Sequence, residues 1–312
     1  MIKTSESTAI AMLSSRSSLL PECLEYFEKN HQSKEHYPLF VYHFDDYADQ
    51  AKKKIRSIYS GPVSFIKVDY KIPEHIHEDE LFINRNDIKY SLQYFPPERI
   101  GYLHMCNFCF ADIFKRPELD SFKYLIRFDD DSWFKQKLEY NLIEKYELEK
   151  QKRHDCMFAI NSFFWGREHE IGQSHVDTRH MLFEFVKHYT SSRGIVPKDA
   201  RLRASISNND IRKFHTLGWK SDLSVYEISN FKTQEWQDWV SAVRDYGGVY
   251  KYRWGDCELV HLYTMFYYEE GIHNLDLLDA EIYGGHLPSY SQAPPVKNTG
   301  LYMKDYKVGI VR

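Results

Sequence analysis

The chain has 312 residues, enough for one large domain or two modest ones. Its 43% apolar and 28% charged residues match an ordinary soluble globular protein. Lys and Arg total 41 against 45 acids, a net charge of -4, which argues against a general nucleic-acid or membrane-surface binder.

Residues 1–20 are Ser-rich and interrupted by Arg16, unlike the compact apolar stretch of a signal peptide. No apolar run nears the roughly 18–20 residues that span a bilayer. Residues 9–13 (AIAML) read as a short buried parallel strand. Ser17 and Ser18 then offer N-cap hydroxyls and Pro21 suits a first helical turn. Leu20, Leu24 and Phe27 follow on one helical face. Residues 39–44 (LFVYHF), 63–68 (VSFIKV), 123–128 (KYLIRF) and 156–160 (CMFAI) read as further strands. Helical faces recur at Leu138, Leu142 and Tyr146, at Met181, Phe185 and Tyr189, and at Trp236, Trp239, Val240 and Val243. Strands separated by helices predict an α/β protein with an open, mostly parallel sheet. The clearest breaks are residues 74–80 (EHIHEDE) and Pro294-Pro295, after which a tail or edge strand is expected.

In open α/β sheets ligands bind beyond the carboxyl ends of the strands. Asp129, Asp130 and Asp131 stand there, after KYLIRF. Adjacent carboxylates repel one another, and a hard divalent ion shared with substrate phosphates resolves the conflict. The plainer reading is a solvated acidic turn or a helix N-cap. Cys106 and Cys109 have CxxC spacing but no second pair, so small buried helical side chains are expected. His75 and His77 belong to a solvated loop. YRWGD (252–256) opens a predicted amphipathic helix bearing Leu259, Leu262, Tyr263 and Phe266. Asp256 is then either its N-cap or an acid at a pocket rim. No GxGxxG, P-loop, GxSxG or HExxH motif occurs.

Together these segments resemble the fungal α-1,2-mannosyltransferases. Residues 9–19 (AIAMLSSRSSL) look like that family's opening strand and nucleotide loop, and residues 35–47 (EHYPLFVYHFDDY) its second strand. GYLHMCNFCF (101–110) is similar to the family's Y-R-H-M-C-R-F, and RFDDD (127–131) stands in place of R-V-E-P-D. YGGVYKYRWGD (246–256) resembles G-G-F-x-Y-E-R-W-G-D, and residues 271–290 the I-H-F-F … H-P-P-Y ending. The likeness implies a single GT-A-type domain over residues 8–290, a Rossmann-like open mixed sheet flanked by helices, with 291–312 as a tail or edge extension. It implies a metal-dependent retaining transferase that moves mannose from GDP-mannose to a sugar hydroxyl of an oligosaccharide or glycoconjugate.

Position by position, the resemblance makes Asp129 and His286 ligands of Mn²⁺, with Mg²⁺ as the alternative. Asp131 supports that site, Arg16 contacts the nucleotide and Tyr102 lines the donor or acceptor pocket. Asp256 binds the acceptor hydroxyls, and Glu227 is the carboxylate beneath the anomeric carbon. A second register places Lys232 at that catalytic position. Asn107 replaces a family arginine. A different nucleotide-sugar donor, such as a UDP-sugar, and an inactive glycan- or nucleotide-binding relic are the alternative readings. A phosphatase or nuclease built on the aspartates explains neither YRWGD nor His286. Family members carry an N-terminal Golgi anchor. Five cysteines and the lack of Asn-x-Ser/Thr sequons favour a soluble cytoplasmic chain, with the Golgi lumen as the alternative if an anchor precedes it.

Overall fold

The computed structural model describes residues 7–14, 17–31, 36–44, 46–84, 100–152, 158–160, 176–211, 214, 223–269, 272–274 and 283–284. The first apolar run forms strand β1 (Thr8–Leu13), and Leu20–Asn30 follows as helix α1 with its proline in the first turn. Leu20, Leu24 and Phe27 lie on the buried face of α1. Strand β2 (Leu39–His43), helix α2 (Asp49–Ile58) and strand β3 (Val63–Lys67) complete the first half. Then come α3 (Ile100–Asn107), β4 (Tyr124–Phe128), the short β5 (Trp133–Phe134), α4 (Leu142–Lys152), β6 (Phe158–Ile160), α5 (Val176–Ser192) and α6 (Ala200–Ser207). Strand β7 (Leu223–Glu227) precedes α7 (Gln234–Tyr246), α8 (Gly248–Tyr252), α9 (Asp256–Tyr267), β8 (Ile272–Asn274) and β9 (Tyr283–Gly284).

Seven strands form one sheet in the order β3-β2-β1-β4-β7-β6-β8. β1 runs parallel to β2 and β4, and β2 parallel to β3, so four consecutive strands end at one edge. β7 is antiparallel to β4 and β6. The architecture is the expected α/β open mixed sheet. β4 is buried at all five positions because helices cover both of its faces. Phe27 of α1 packs on Phe128 at 5.3 Å, and Tyr146 of α4 on Tyr124 at 5.9 Å, on one face. Phe114 packs on Tyr226 at 5.3 Å on the other.

Four local expectations change. Leu19, not Ser17 or Ser18, is the N-cap of α1. Leu138 lies before α4 rather than in it, yet its side chain is buried, and its amide bonds the Asn30 carbonyl at the end of α1, 2.8 Å away. The aspartate turn leads into β5 and not into a helix. α9 is not amphipathic: its residues from Leu259 to Phe266 are all buried, as in a helix running through the core. Residues 156–157 of the expected strand, and the tail at 291–312, lie outside the described residues.

Candidate functional site

The site begins with one charged side chain inside an apolar strand. Arg127 is the fourth residue of β4 and only 3% exposed. Side chains alternate across a strand, so Arg127 shares a face with Leu125 and, by register, with Ser224 and Tyr226 of β7. A buried guanidinium requires a counter-charge. Two carboxylates supply it: Nη1 donates to Asp256 Oδ2, and Nη2 donates to Asp129 Oδ1 at 3.3 Å. Arg127 thereby joins the carboxyl end of β4 to the start of α9.

Asp256 is itself buried and is the first helical residue of α9, where the helix dipole favours negative charge. Gly255, not Asp256, is the N-cap, and its amide donates to Glu258 Oε2 at 3.2 Å. The approach to this point explains the YGGVYKYRWGD run. Gly247 ends α7 with φ +77°, a left-handed conformation that glycine adopts without penalty. Gly248 has a different reason: a Cβ there would stand 1.8 Å from Cε3 of Trp254. That indole is buried and lies parallel to Tyr246, centroids 5.3 Å apart and planes within 6°. Arg253 has φ +58°, uncommon for a residue with a side chain, and its guanidinium sits over the Tyr102 ring at 5.4 Å.

Tyr102 comes from α3, one turn before Cys106. The Cys106 sulfur, then burial, push its hydroxyl well above the ordinary tyrosine range, so it stays protonated. Burial, then the charge of Asp256, raises the Cys106 thiol to about 12. Burial also raises the Cys109 thiol. Both cysteines are buried, reduced side chains on the helical run from α3 through a π turn at Phe108–Asp112, as expected from a lone CxxC. Asn107 donates to Asp112 at 3.0 Å, and Asp112 also takes Arg244. His75 and His77 are exposed.

The three aspartates differ. Asp129 is partly open, its side chain 34% exposed. Asp130 is buried and accepts a 2.7 Å bond from Ser14 Oγ, beyond β1, which also pairs with the Tyr47 hydroxyl at 2.9 Å. Asp131 is buried, and the Ser132 hydroxyl beside it is buried with no hydrogen-bond partner. β9 pairs with β5, setting Gly284 opposite Trp133 and so bringing the late chain beside the aspartate turn. His286 and Arg16 lie outside the described residues. Among the described residues no three His, Cys, Asp or Glu side chains form a metal cage.

Glu227 stands apart from this group. It ends β7 opposite Tyr124, at the start of β4, so about 16 Å of strand separates it from the level of Asp129. Parity also puts it on the sheet face opposite Arg127 and Asp256, where Lys150 of α4 pairs with its carboxylate. Lys232 reaches Asp120 at 2.6 Å, an exposed ion pair at the same remote end. Neither register therefore delivers its residue to the aspartates. Arg127, which the sequence reading passed over, is what binds the site together. Its signal was a single cation within a strand that had to be buried.

A family model described as glycolipid 2-alpha-mannosyltransferase matches residues 3–277. The chain belongs to this family. Within it, the chain is 20% identical over 284 residues to a probable mannosyltransferase of Saccharomyces cerevisiae, KTR3, covering 88% of this chain and 64% of that protein. It is 20% identical over 240 residues to the O-glycoside alpha-1,2-mannosyltransferase omh1 of Schizosaccharomyces pombe, covering 76% and 58%. The chain thus spans less than two thirds of the length of these curated relatives. The crystal structure of core-mannan synthase A (CmsA/Ktr4) from Aspergillus fumigatus, a Mn/GDP form, superimposes with a TM-score of 0.69 at 16% identity, covering 89% of this chain and 74% of that one. Ktr4p of S. cerevisiae in complex with GDP gives 0.67 at 16% identity, covering 96% and 77%. Likeness at this identity shows a shared fold. No helix among the described residues is long and apolar enough to cross a membrane.

Proposed function

We propose that the chain is a metal-dependent retaining glycosyltransferase that moves mannose from GDP-mannose to a sugar hydroxyl, in α-1,2 linkage, within one catalytic domain over residues 8–290. The observation that carries the reading is the Asp129–Arg127–Asp256 link, built on a buried guanidinium at the carboxyl edge of the sheet. It supports a site where one carboxylate faces the phosphates and the other faces the acceptor. Family membership and the printed activities and ligands of its relatives point the same way.

The residues fit a hard divalent cation. Asp129 offers a partly open carboxylate, and Ser132, whose amide bonds the Asp129 carbonyl at 3.2 Å, an unsatisfied buried hydroxyl in the same turn. A cation shared with substrate phosphates needs only one or two protein carboxylates, so a full protein cage is not required. Asp129 would hold it, with His286 from the segment beyond β9, and Asp131 would support them. Manganese, once bound, supplies Lewis-acid neutralisation of the charge developing on the diphosphate. Arg127 fixes the Asp129 carboxylate and lends positive charge close to the leaving group. Tyr102, protonated and held beneath Arg253, is a donor for a substrate oxygen, and Arg16 would contact the nucleotide. Asp256 orients the acceptor hydroxyl.

Glu227 is not given the role beneath the anomeric carbon. Its ion pair to Lys150 supports a structural part. Asp256, already tied to Arg127, is poorly suited to attack as a nucleophile. The arrangement favours same-face substitution, in which the acceptor's proton passes to the departing phosphate.

Thermal unfolding with GDP, UDP, GDP-mannose and UDP-sugars, each with Mn²⁺ or with EDTA, tests the reading. A ligand that binds only the folded state raises its stability by about 2.7 kcal/mol at 100 times Kd. Stabilisation by GDP-mannose with Mn²⁺, lost in EDTA, is expected. A response to UDP-sugars alone would replace the donor, and no response to any nucleotide would leave a glycan-binding relic.

A further inference from the structure

Tyr70, three residues beyond β3, is 47% exposed; Leu148 and Val196 are the other large apolar side chains this open among the described residues. Its ring is held firmly all the same. One face stacks on the His104 imidazole, centroids 3.8 Å apart and planes 27° from parallel. Phe44 meets its edge at 4.8 Å and 87°. His104 is buried in turn, with Nδ1 3.0 Å from the Tyr250 hydroxyl. Burial lowers its pKa to about 4, so the imidazole under Tyr70 is neutral near pH 7. Core packing does not account for a ring held by two aromatic neighbours and yet 47% exposed. A ring already ordered gives up little further freedom when a flat ligand lands on it.

Its place in the fold narrows what that ligand is. Phe44 follows β2 and Tyr70 follows β3, and both strands run parallel to β1 and, through it, to β4. The platform therefore shares the carboxyl edge of the sheet with Ser14 and with Asp129–Asp131. Three strand spacings, about 14 Å, separate β3 from β4. In open α/β sheets a nucleotide lies across the carboxyl ends of the strands, so phosphates held at Asp129 leave the base to extend along that same edge.

We propose that Tyr70, backed by His104 and braced by Phe44, is the stacking platform for the purine base of the donor nucleotide. The inference rests on the donor reading above and adds the residue that holds the base. Stacking supplies affinity without choosing among bases, because each base presents a π face.

Calorimetric titration in Mn²⁺ with GDP, and separately with inorganic pyrophosphate, tests this on the wild type, Tyr70→Ala and Tyr70→Phe. Tyr70→Ala is expected to weaken GDP by about 5- to 100-fold, the equivalent of losing one base stack. Tyr70→Phe keeps the ring and the affinity, and pyrophosphate binds all three proteins alike. Melting temperatures of both variants stay near that of the wild type, since the side chain is half exposed. A wild type that fails to bind GDP overturns the donor reading and this inference with it. Wild-type GDP binding left unchanged by Tyr70→Ala overturns the platform alone. Equal loss of GDP and pyrophosphate also overturns it, as does an unchanged GDP affinity with a raised acceptor KM, which would assign the ring to an acceptor sugar.

Discussion

Arg127 and Asp256, 129 positions apart in sequence, form an ion pair buried between the central strand of the sheet and the first turn of the core helix α9. Removing one partner strands the other. Arg127→Met should lower stability by about 3–5 kcal/mol, the usual cost of an orphaned buried charge. Adding Asp256→Leu should recover part of the loss, because the isolated carboxylate is then gone. Urea titration of both single variants and the double variant measures the coupling. Additive losses would mean the two side chains do not depend on each other.

Asp129 is open to solvent where Asp256 is not, so their substitutions should separate function from folding. Asp129→Asn should melt within a few degrees of the wild type and lose the Mn²⁺-dependent stabilisation by GDP, about 2.7 kcal/mol at 100 times Kd. Thermal unfolding with and without EDTA reads both effects at once. Retained nucleotide stabilisation would remove Asp129 from the site.

Gly248 faces a buried indole with no space for a methyl group. Gly248→Ala should destabilise by about 3 kcal/mol or more, at the upper end of overpacking costs, because Trp254 is pinned between its aromatic neighbours and cannot withdraw. Gly247→Ala is costly for a different reason, its left-handed backbone. Denaturant midpoints separate these two from an exposed control such as Gln50→Ala.

Much of this was legible in the sequence, for identifiable reasons. β1, β2 and β4 are continuous apolar runs because helices cover both of their faces, and such runs survive any uncertainty in register. The aspartates stand where a parallel strand must end. What escaped depended on contacts distant in sequence. KYLIRF contains Arg127 in plain view, but only the tertiary fold reveals that its counter-charge comes from RWGD. α9 looked amphipathic from four apolar positions, and its burial on every side follows from packing that one helix's own periodicity does not encode. The resemblance to the mannosyltransferases gave Glu227 a place beneath the anomeric carbon. The antiparallel pairing of β7, which no local pattern announces, carries it to the far end and opposite face of the sheet.

That displacement is directly testable. Glu227→Gln should reduce stability by about 1 kcal/mol through the partly exposed pair with Lys150 and leave kcat near the wild-type value. A fall in kcat of about a thousandfold or more, at unchanged stability, would return Glu227 to the chemical step.

Three histidines contribute to the response to acid. Burial lowers His31 and His104 to about 4, and burial followed by the nearby Arg201 charge lowers His261 to about 3. Their folded values lie below the unfolded value of 6.5, so between these limits the unfolded chain binds more protons than the folded one. Stability from these groups is intact above pH 6.5 and declines as pH falls, by about 1.4 kcal/mol per pH unit for each histidine while its folded form stays neutral. Denaturant midpoints between pH 7.5 and 4.5 should fall accordingly. His104→Phe keeps a ring under Tyr70 and should flatten the slope, and an unaltered slope would mean that His104 already carries its proton in the folded state.

Mannose transfer from GDP-mannose through the site built around Arg127 is the proposed reaction. Incubation with GDP-mannose, a methyl α-mannoside acceptor and Mn²⁺, followed by proton NMR of the anomeric region, tests it most directly. An α-1,2-linked disaccharide is expected, formed in step with GDP release and abolished by EDTA and by Asp129→Asn. No disaccharide and no GDP release from folded protein would contradict it.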